Sequence, residues 1–142
     1  METGSFSKAE TSNPKDLYGA EKVSITKLPP VAILHAAHAM MNGASKYGPY
    51  NWRDKKVVAG IYIDAAMRHL LSWFEGEELA EDSGVHHLGH AMACAAILLD
   101  ALATGNLVDD RPGRGRFVET LQKLNDTIKT RSSNERKAKV AL

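Results

Sequence analysis

The chain has 142 residues, with 18 Lys and Arg against 17 Asp and Glu, so its formal net charge is +1. This length is enough for one domain with a buried core, and the balanced charge does not favour a nucleic-acid-binding protein. The single cysteine, Cys94, excludes an intramolecular disulfide and fits a reducing compartment. Its Ala and Leu neighbours predict a small buried side chain rather than a nucleophile.

The first 27 residues are polar and predict a flexible arm that packs only near its end. They contain no apolar run of the kind found in signal peptides. No segment of the chain has about 18 uninterrupted apolar residues, so the sequence predicts no membrane span. We therefore expect a cytoplasmic protein.

The next segment predicts a helix over 31–46, because the preceding prolines suit a first helical turn. Polar residues spaced three and four apart share one face of such a helix. On this helix they are His35, His38 and Asn42. This polar stripe has two interpretations, a lined pocket or groups that satisfy one another and the backbone.

The connector KYGPYNWRD, residues 46–54, combines turn residues with aromatic, amide and basic side chains. Aromatic faces stack on bases, Asn pairs with a purine edge, and Lys or Arg meets phosphate. The candidate nucleotide-binding residues here are Lys46, Tyr47, Asn51 and Trp52. The same composition also suits a plain aromatic anchor for a loop.

A second helix is predicted from about Lys56 to Glu75, with a broad apolar arc along one side. The arc consists of Ile63, Met67, Leu70, Leu71 and Phe74. Asp64 and Arg68 form a charged edge beside it, and the apolar surface around them favours partial burial. As an exposed pair one turn apart they would contribute about 0.3–0.5 kcal/mol.

The stretch GEELAEDSGVHHLGHA, residues 76–91, places four carboxylates and three histidines before and within a third apolar helix. That helix begins at Val85 or His86, and His87 falls on the stripe that should be buried, with His90 beside it. These rings are either core histidines bonded to neighbours or groups facing a charged cleft. At the start of a helix, backbone amides favour anions such as phosphate.

The second and third helices, joined by about ten residues, predict an antiparallel hairpin. This geometry brings the carboxylates of the connector close to His87, with His90 one turn deeper. These carboxylates are Glu75, Glu77, Glu78 and Asp82. Asp64 and Arg68 lie farther along the same cleft, so the hairpin predicts a site for a metal ion and phosphate.

The C-terminal part is polar. A basic loop, RPGRGR, precedes a short amphipathic helix over 116–130, and residues 131–142 read as a disordered basic tail. The predicted organisation is therefore an arm over 1–27, an all-α domain over 28–130 and a tail.

Four motifs in order carry a family resemblance: LPPVAILHAAHAMMNGASKYGPYNWR, DAAMRHL, GE, and SGVHHLGHA. Over residues 19–103 the chain closely resembles the phage-type dATP/dGTP diphosphohydrolases. Within them it looks most like the MazZ-type enzymes of phages that replace adenine with 2-aminoadenine. The resemblance implies a MazG-like all-α bundle that assembles as a homodimer or homotetramer in the host cytoplasm.

The implied reaction is hydrolysis of a nucleoside triphosphate between the α and β phosphates, with Mg²⁺ or Mn²⁺ as cofactor. In the MazZ-type case the substrate is dGTP, and the dGMP product supplies synthesis of the 2-aminoadenine nucleotide. No nucleic acid is required as a partner.

Combined with the residue patterns, this assigns candidate roles to twelve side chains. Those predicted to be catalytic are Asp64, Arg68, His87 and His90. Those predicted to bind substrate are Lys46, Tyr47, Asn51, Trp52 and His38. Those predicted to bind metal are Asp64, Glu77, Glu78, Asp82 and His87. MazG-like enzymes carry ExxE and ExxD motifs, whereas this third helix offers HxxH, so the ligand set stays open among the connector carboxylates.

Two other functions fit parts of the sequence. A zinc-dependent phosphohydrolase would use His69, His87, His90 and Asp64, although the chain lacks the HD dipeptide. A helical nucleic-acid-binding module would use the RPGRGR loop and the basic tail, and it would show salt-dependent DNA binding without nucleotide turnover.

Overall fold

Helices make up most of the structure, a computed structural model that describes residues 13–142. The elements in chain order are α1 Pro14–Ala20, a 3₁₀ turn Ile25–Lys27, α2 Pro30–Tyr47, α3 Asn51–Asp54, β1 Val57–Val58, α4 Ala59–Phe74, α5 His87–Thr104, β2 Leu107–Val108 and α6 Phe117–Val140. The predicted all-α class is confirmed. Contacts divide the chain into two units, one ending at Asp109 and the other spanning Asp110–Leu142.

The predicted hairpin of the second and third helices is confirmed as α4 and α5. Strands β1 and β2 pair in parallel, Val57 with Leu107 and Val58 with Val108, at the start of α4 and the end of α5. This pairing sets the two helices antiparallel. The His87 end of α5 therefore lies beside the last turns of α4, where the sequence predicted a charged cleft.

Helix α2 packs closely against the first turn of α5 at Gly89. A Cβ atom at Gly89 would lie 2.5 Å from the backbone oxygen of His35 and 3.0 Å from its carbonyl carbon. Only glycine therefore permits this approach. The contact fixes α2 relative to the histidines of α5.

The short helix α3 is anchored to the far end of α5 by Asp100. Trp52 Nε1 donates a 2.6 Å hydrogen bond to Asp100 Oδ2, and Arg53 donates to both carboxylate oxygens at 2.9 and 2.8 Å. The bonds from Arg53 and then Trp52 lower the pKa of Asp100 to about 2. This anchor holds buried Trp52 in the apolar cluster with Val57 and Ala101.

The predicted apolar arc of α4 is present, but it faces away from the rest of its unit. Ile63, Met67, Leu70, Leu71 and Phe74 are all exposed, from 45% to 81%. Asp64 and Arg68 are exposed too, so the expected partial burial is wrong. The sector that faces α5 carries smaller and polar groups, including Ala65 and His69. The larger apolar face has no partner among residues 13–109.

The predicted disordered tail is wrong, because α6 continues through most of it to Val140. Residues 131–140 include good helix formers, and Arg131 forms an i,i+4 pair with Glu135 at 3.4 Å. Of the predicted N-terminal arm, residues 1–12 lie outside the described residues. The remainder contains α1 and the 3₁₀ turn, with no buried side chain in either.

Helix α5 has the length and mean hydropathy, 1.3, of a possible membrane span. The core helix of a soluble protein meets the same test. Because α5 packs against α2, α3 and α4, it occupies the position of such a core helix.

Candidate active site

A cavity of about 440 Å³ lies between α2, α3, α4 and α5. Of the residues predicted from the sequence, six line it: Lys46, Tyr47, Asn51, Trp52, Asp82 and His90. Its volume lies within the range of small-molecule sites. The hairpin, the aromatic connector and the acidic connector thus meet around one space.

One part of the cavity wall is apolar and aromatic. Trp52 packs in one cluster with Tyr62 and Ile97, and all three line the cavity. Burial raises the pKa of the Tyr62 hydroxyl. A flat apolar group such as a nucleobase suits this part of the wall.

The other part of the wall carries charged and polar side chains. Along α5, His90 precedes Ile97 by seven residues, which corresponds to about 10 Å at 1.5 Å per residue. Lys46 Nζ lies 3.8 Å from an Asp82 carboxylate oxygen, and the two side chains are 47% and 74% exposed. An exposed pair of this kind contributes little to stability, so both groups can bind a ligand instead.

Three histidine rings meet at this polar end. His69 Nδ1 lies 2.9 Å from His87 Nδ1, and the His69 ring stacks on His90 with centroids 4.4 Å apart. Ser83 Oγ contacts His90 Nε2 at 2.8 Å and accepts a bond from the Val85 amide. The cluster therefore joins α4, the connector and α5.

His87 is the most enclosed member of the cluster, at 5% exposure, and does not line the cavity. Its Nε2 lies 3.3 Å from Glu77 Oε1. That approach is too poorly aligned for a hydrogen bond, which leaves this buried nitrogen without a hydrogen-bond partner. The sequence prediction that His87 lies on a buried face near the connector carboxylates is confirmed.

The first turn of α5 does not offer a free anion site. His86 Nδ1 accepts a bond from the Leu88 amide at 3.0 Å, and the His87 amide donates to the Glu78 carbonyl. The other nitrogen of His86 donates to the Glu78 carboxylate at 3.0 Å. Because these amides already have partners, phosphate binding at this helix terminus is not supported.

Burial lowers the pKa of both cavity-lining histidines, His69 and His90. Neighbouring imidazoles lower it further, His87 acting on His69 and His69 on His90, while the Asp82 carboxylate opposes the shift. Both rings are therefore mainly neutral at pH 7. They act in the cavity as hydrogen-bonding groups rather than as fixed cations.

The remaining predicted site residues lie outside the cavity wall. They are His38, Asp64, Arg68, Glu77, Glu78 and His87. Within residues 13–142, no three His, Cys, Asp or Glu side chains form a group that could hold a metal ion by themselves. Of the predicted metal ligands, Asp82 is the one that lines the cavity.

The sequence assignment missed several residues of the wall, above all His69 and Tyr62. His69 entered only the zinc hypothesis, because it lies outside both the apolar arc and the charged edge described for this helix. The signal that could have found them is the pair of polar side chains at 62 and 69, seven residues apart on one helical face.

Comparison with known proteins covers the part of the chain that forms the cavity. A family model described as dATP/dGTP diphosphohydrolase, N-terminal, matches residues 12–111. The chain belongs to this family. The match includes every residue of the cavity wall and ends before α6, so the family resemblance inferred from the motifs is confirmed.

A relative from the same family is the dATP/dGTP diphosphohydrolase of Salmonella phage PMBT28. It is 27% identical over 90 residues, which cover 63% of this chain and 30% of the relative. The chain thus matches less than a third of that protein's length. No solved structure matches this chain.

Proposed function

We propose that this protein hydrolyses a purine deoxynucleoside triphosphate, dGTP or dATP, between the α and β phosphates. The products would be the deoxynucleoside monophosphate and pyrophosphate. The observation that carries the proposal is the cavity between α2, α3, α4 and α5, whose wall has an apolar aromatic part and a charged part. It lies within the segment that matches the diphosphohydrolase family.

The two parts of the cavity suit the two halves of a nucleotide. Trp52 and Tyr62 offer aromatic surface to the base, and Asn51 offers an amide that can pair with a base edge. Lys46 can neutralise phosphate charge at the other part. This orientation places the triphosphate beside Asp82 and His90.

Mg²⁺ or Mn²⁺ is part of the proposal. Mg²⁺ commonly binds one or two carboxylates together with substrate phosphates and water, so a preformed cage of side chains is not required. Asp82 has the right chemistry and place, and Glu77, Glu78 and Asp64 are the further carboxylate candidates. The ion would supply charge stabilisation for the phosphate oxygens and a more acidic bound water.

The proposal extends to the biological role predicted from the resemblance. We include in it a preference for dGTP and the supply of dGMP for 2-aminoadenine nucleotide synthesis. We also include action in the cytoplasm of a phage-infected host. The diphosphohydrolase name of the Salmonella phage relative supports a purine deoxynucleotide as substrate.

The zinc alternative gains no support from the geometry. Two nitrogens of its proposed ligands, His69 and His87, bond to each other, and no group of three potential ligands gathers within the described range 13–142. We therefore propose no zinc-dependent reaction.

The test is incubation of the purified protein with dGTP, dATP, dUTP and GTP, with Mg²⁺ or Mn²⁺, followed by separation of the products. We expect dGMP or dAMP with pyrophosphate, and loss of turnover on chelation by EDTA. If the products are a nucleoside diphosphate and orthophosphate, the proposed cleavage between the α and β phosphates is wrong. If only dUTP is turned over, the proposed purine substrate is wrong.

Two lysine substitutions, one in the cavity wall and one outside it, test the proposed position of the triphosphate. Lys46→Ala should raise KM about tenfold or more, because a charge-assisted contact to phosphate typically contributes about 1.5–3 kcal/mol. Lys55→Ala removes an exposed lysine that does not line the cavity, and it should leave KM unchanged. Equal effects of the two substitutions would show a diffuse charge effect and contradict the assigned contact.

A further inference from the structure

His69 lies between the buried ring of His87 and the cavity. Its Nδ1 contacts His87 at 2.9 Å, while its own ring lines the cavity that His87 does not reach. His87 in turn has Glu77 3.3 Å from its other nitrogen. The three side chains thus form a continuous series from the connector carboxylate to the cavity wall.

The contact between the two imidazoles has a definite requirement. A hydrogen bond between two Nδ1 atoms needs one nitrogen that carries a proton and one that does not. Two arrangements of neutral rings satisfy this requirement. The environment of His87 Nε2 decides between them.

His87 Nε2 is buried and faces a carboxylate. If this nitrogen lacked a proton, its lone pair would face the negative charge of Glu77 away from solvent, which is unfavourable. A proton on Nε2 turns the repulsion into an attraction. In the neutral ring Nδ1 is then bare and must accept its bond from His69.

The tautomer of His87 therefore sets the tautomer of His69, whose ring lines the cavity. His69 then carries its proton on Nδ1, and its Nε2, which has no hydrogen bond to another described residue, is a bare acceptor. Stacking on His90 holds the plane of the ring.

We propose that Glu77, His87 and His69 form a tautomer-setting relay in which His69, with Nε2 unprotonated, accepts a hydrogen bond from the water that attacks the nucleotide. The relay assigns His69 as a catalytic residue and His87 and Glu77 as positioning residues. The water-binding step rests on the proposed hydrolysis, whereas the tautomers do not.

The tautomers are measured on the ¹⁵N-labelled protein without substrate or metal. At pH 8, long-range ¹H–¹⁵N spectra of the imidazoles should show His69 with its proton on Nδ1 and His87 with its proton on Nε2. A His69 ring with its proton on Nε2 would overturn the relay. Assignment uses His69→Gln and His87→Gln spectra.

Two neighbouring carboxylates provide the matched comparison. Glu77→Gln removes the charge beside His87 and should increase the Nε2–H form of His69. Glu78→Gln removes a charge whose partner is His86, so it should alter the His86 signals and leave the His69 tautomer in place. An unchanged His69 tautomer in Glu77→Gln, or equal shifts in both variants, would overturn the proposed relay.

Steady-state kinetics test the contact with water. His69→Ala should lower kcat about 100-fold, a typical effect for a group of this kind, with KM nearly unchanged. His69→Gln, which keeps an acceptor on the side chain, should retain more turnover than His69→Ala. Circular dichroism confirms folding of each variant. Full kcat in folded His69→Ala would overturn the assignment of His69.

The two levels of the proposal separate experimentally. If the wild-type protein turns over no nucleotide and the tautomers are as expected, the proposed hydrolysis and its water contact fail while the tautomer relay stands. If nucleotide is hydrolysed and the tautomers are reversed, the relay fails and the hydrolysis stands.

Discussion

Among single residues, Asp100 is the clearest case of a side chain whose charge holds a site in place. Because Arg53 and Trp52 lower its pKa from 3.8 to about 2, its contribution to stability is fully present above pH 3.8 and is lost as the pH falls towards 2. Asp100→Asn should therefore lower the unfolding midpoint at pH 7, and its deficit relative to wild type should shrink between pH 4 and pH 2. Thermal unfolding followed by circular dichroism measures both. A deficit that does not change with pH would contradict the assigned charge interaction.

At the same scale, what the sequence predicts depends on whether a residue's surroundings are local. Lys46, Asn51 and Trp52 were found as candidates because a single turn-rich connector displays them together, and the cavity includes all three. His69 and Tyr62 lie on α4, and which face of α4 is turned towards α5 depends on tertiary packing. Placing them required knowing that α4 turns its smaller sector towards α5.

Among the elements, the contact between α2 and α5 can be tested with alanine substitutions at two helical glycines. We expect the two substitutions to change the free energy of unfolding in opposite directions. Gly89→Ala puts a Cβ atom 2.5 Å from the His35 backbone oxygen, and we expect a loss of about 1–3 kcal/mol as for other overpacked sites. Gly43→Ala, also within a helix, meets no atom within 4 Å and should gain up to about 1 kcal/mol from helix propensity. Urea unfolding of the two variants measures the difference. A neutral Gly89→Ala would contradict the close approach of the two helices.

Helix α6 shows why polarity alone is a poor guide to helix ends. Low hydrophobicity predicted disorder after residue 130, because such a segment buries too little apolar surface. Helix formation needs only local hydrogen bonds and favourable side-chain pairs, such as Arg131 with Glu135. Lys137 and Lys139 in the last turn also complement the helix dipole. By contrast, the α4–α5 hairpin was predictable because apolar length and a polar connector both indicate it.

For the whole molecule, the outward face of α4 is the feature that a single copy leaves unexplained. Ile63, Met67, Leu70 and Phe74 recur at spacings of four, three and four residues, and each is at least 45% exposed. A contiguous apolar face of this kind usually marks an interaction surface, which favours the homodimer or homotetramer that the family resemblance implies. Asp64 and Arg68 lie along the same helix, so an antiparallel pairing of two α4 helices can place each carboxylate near the guanidinium of the other copy.

Assembly through this face has a direct test. Met67→Glu places a charge at its centre and should shift the protein towards monomer in sedimentation velocity, because burial of an unpaired charge is costly. Ser133→Glu adds the same charge at an exposed position of α6, which is not part of the α4 face, and should leave the assembly state unchanged. If wild type and Met67→Glu sediment alike, the α4 face is not the contact between copies. Nucleotide turnover measured on the same fractions then shows whether a single copy is sufficient for hydrolysis.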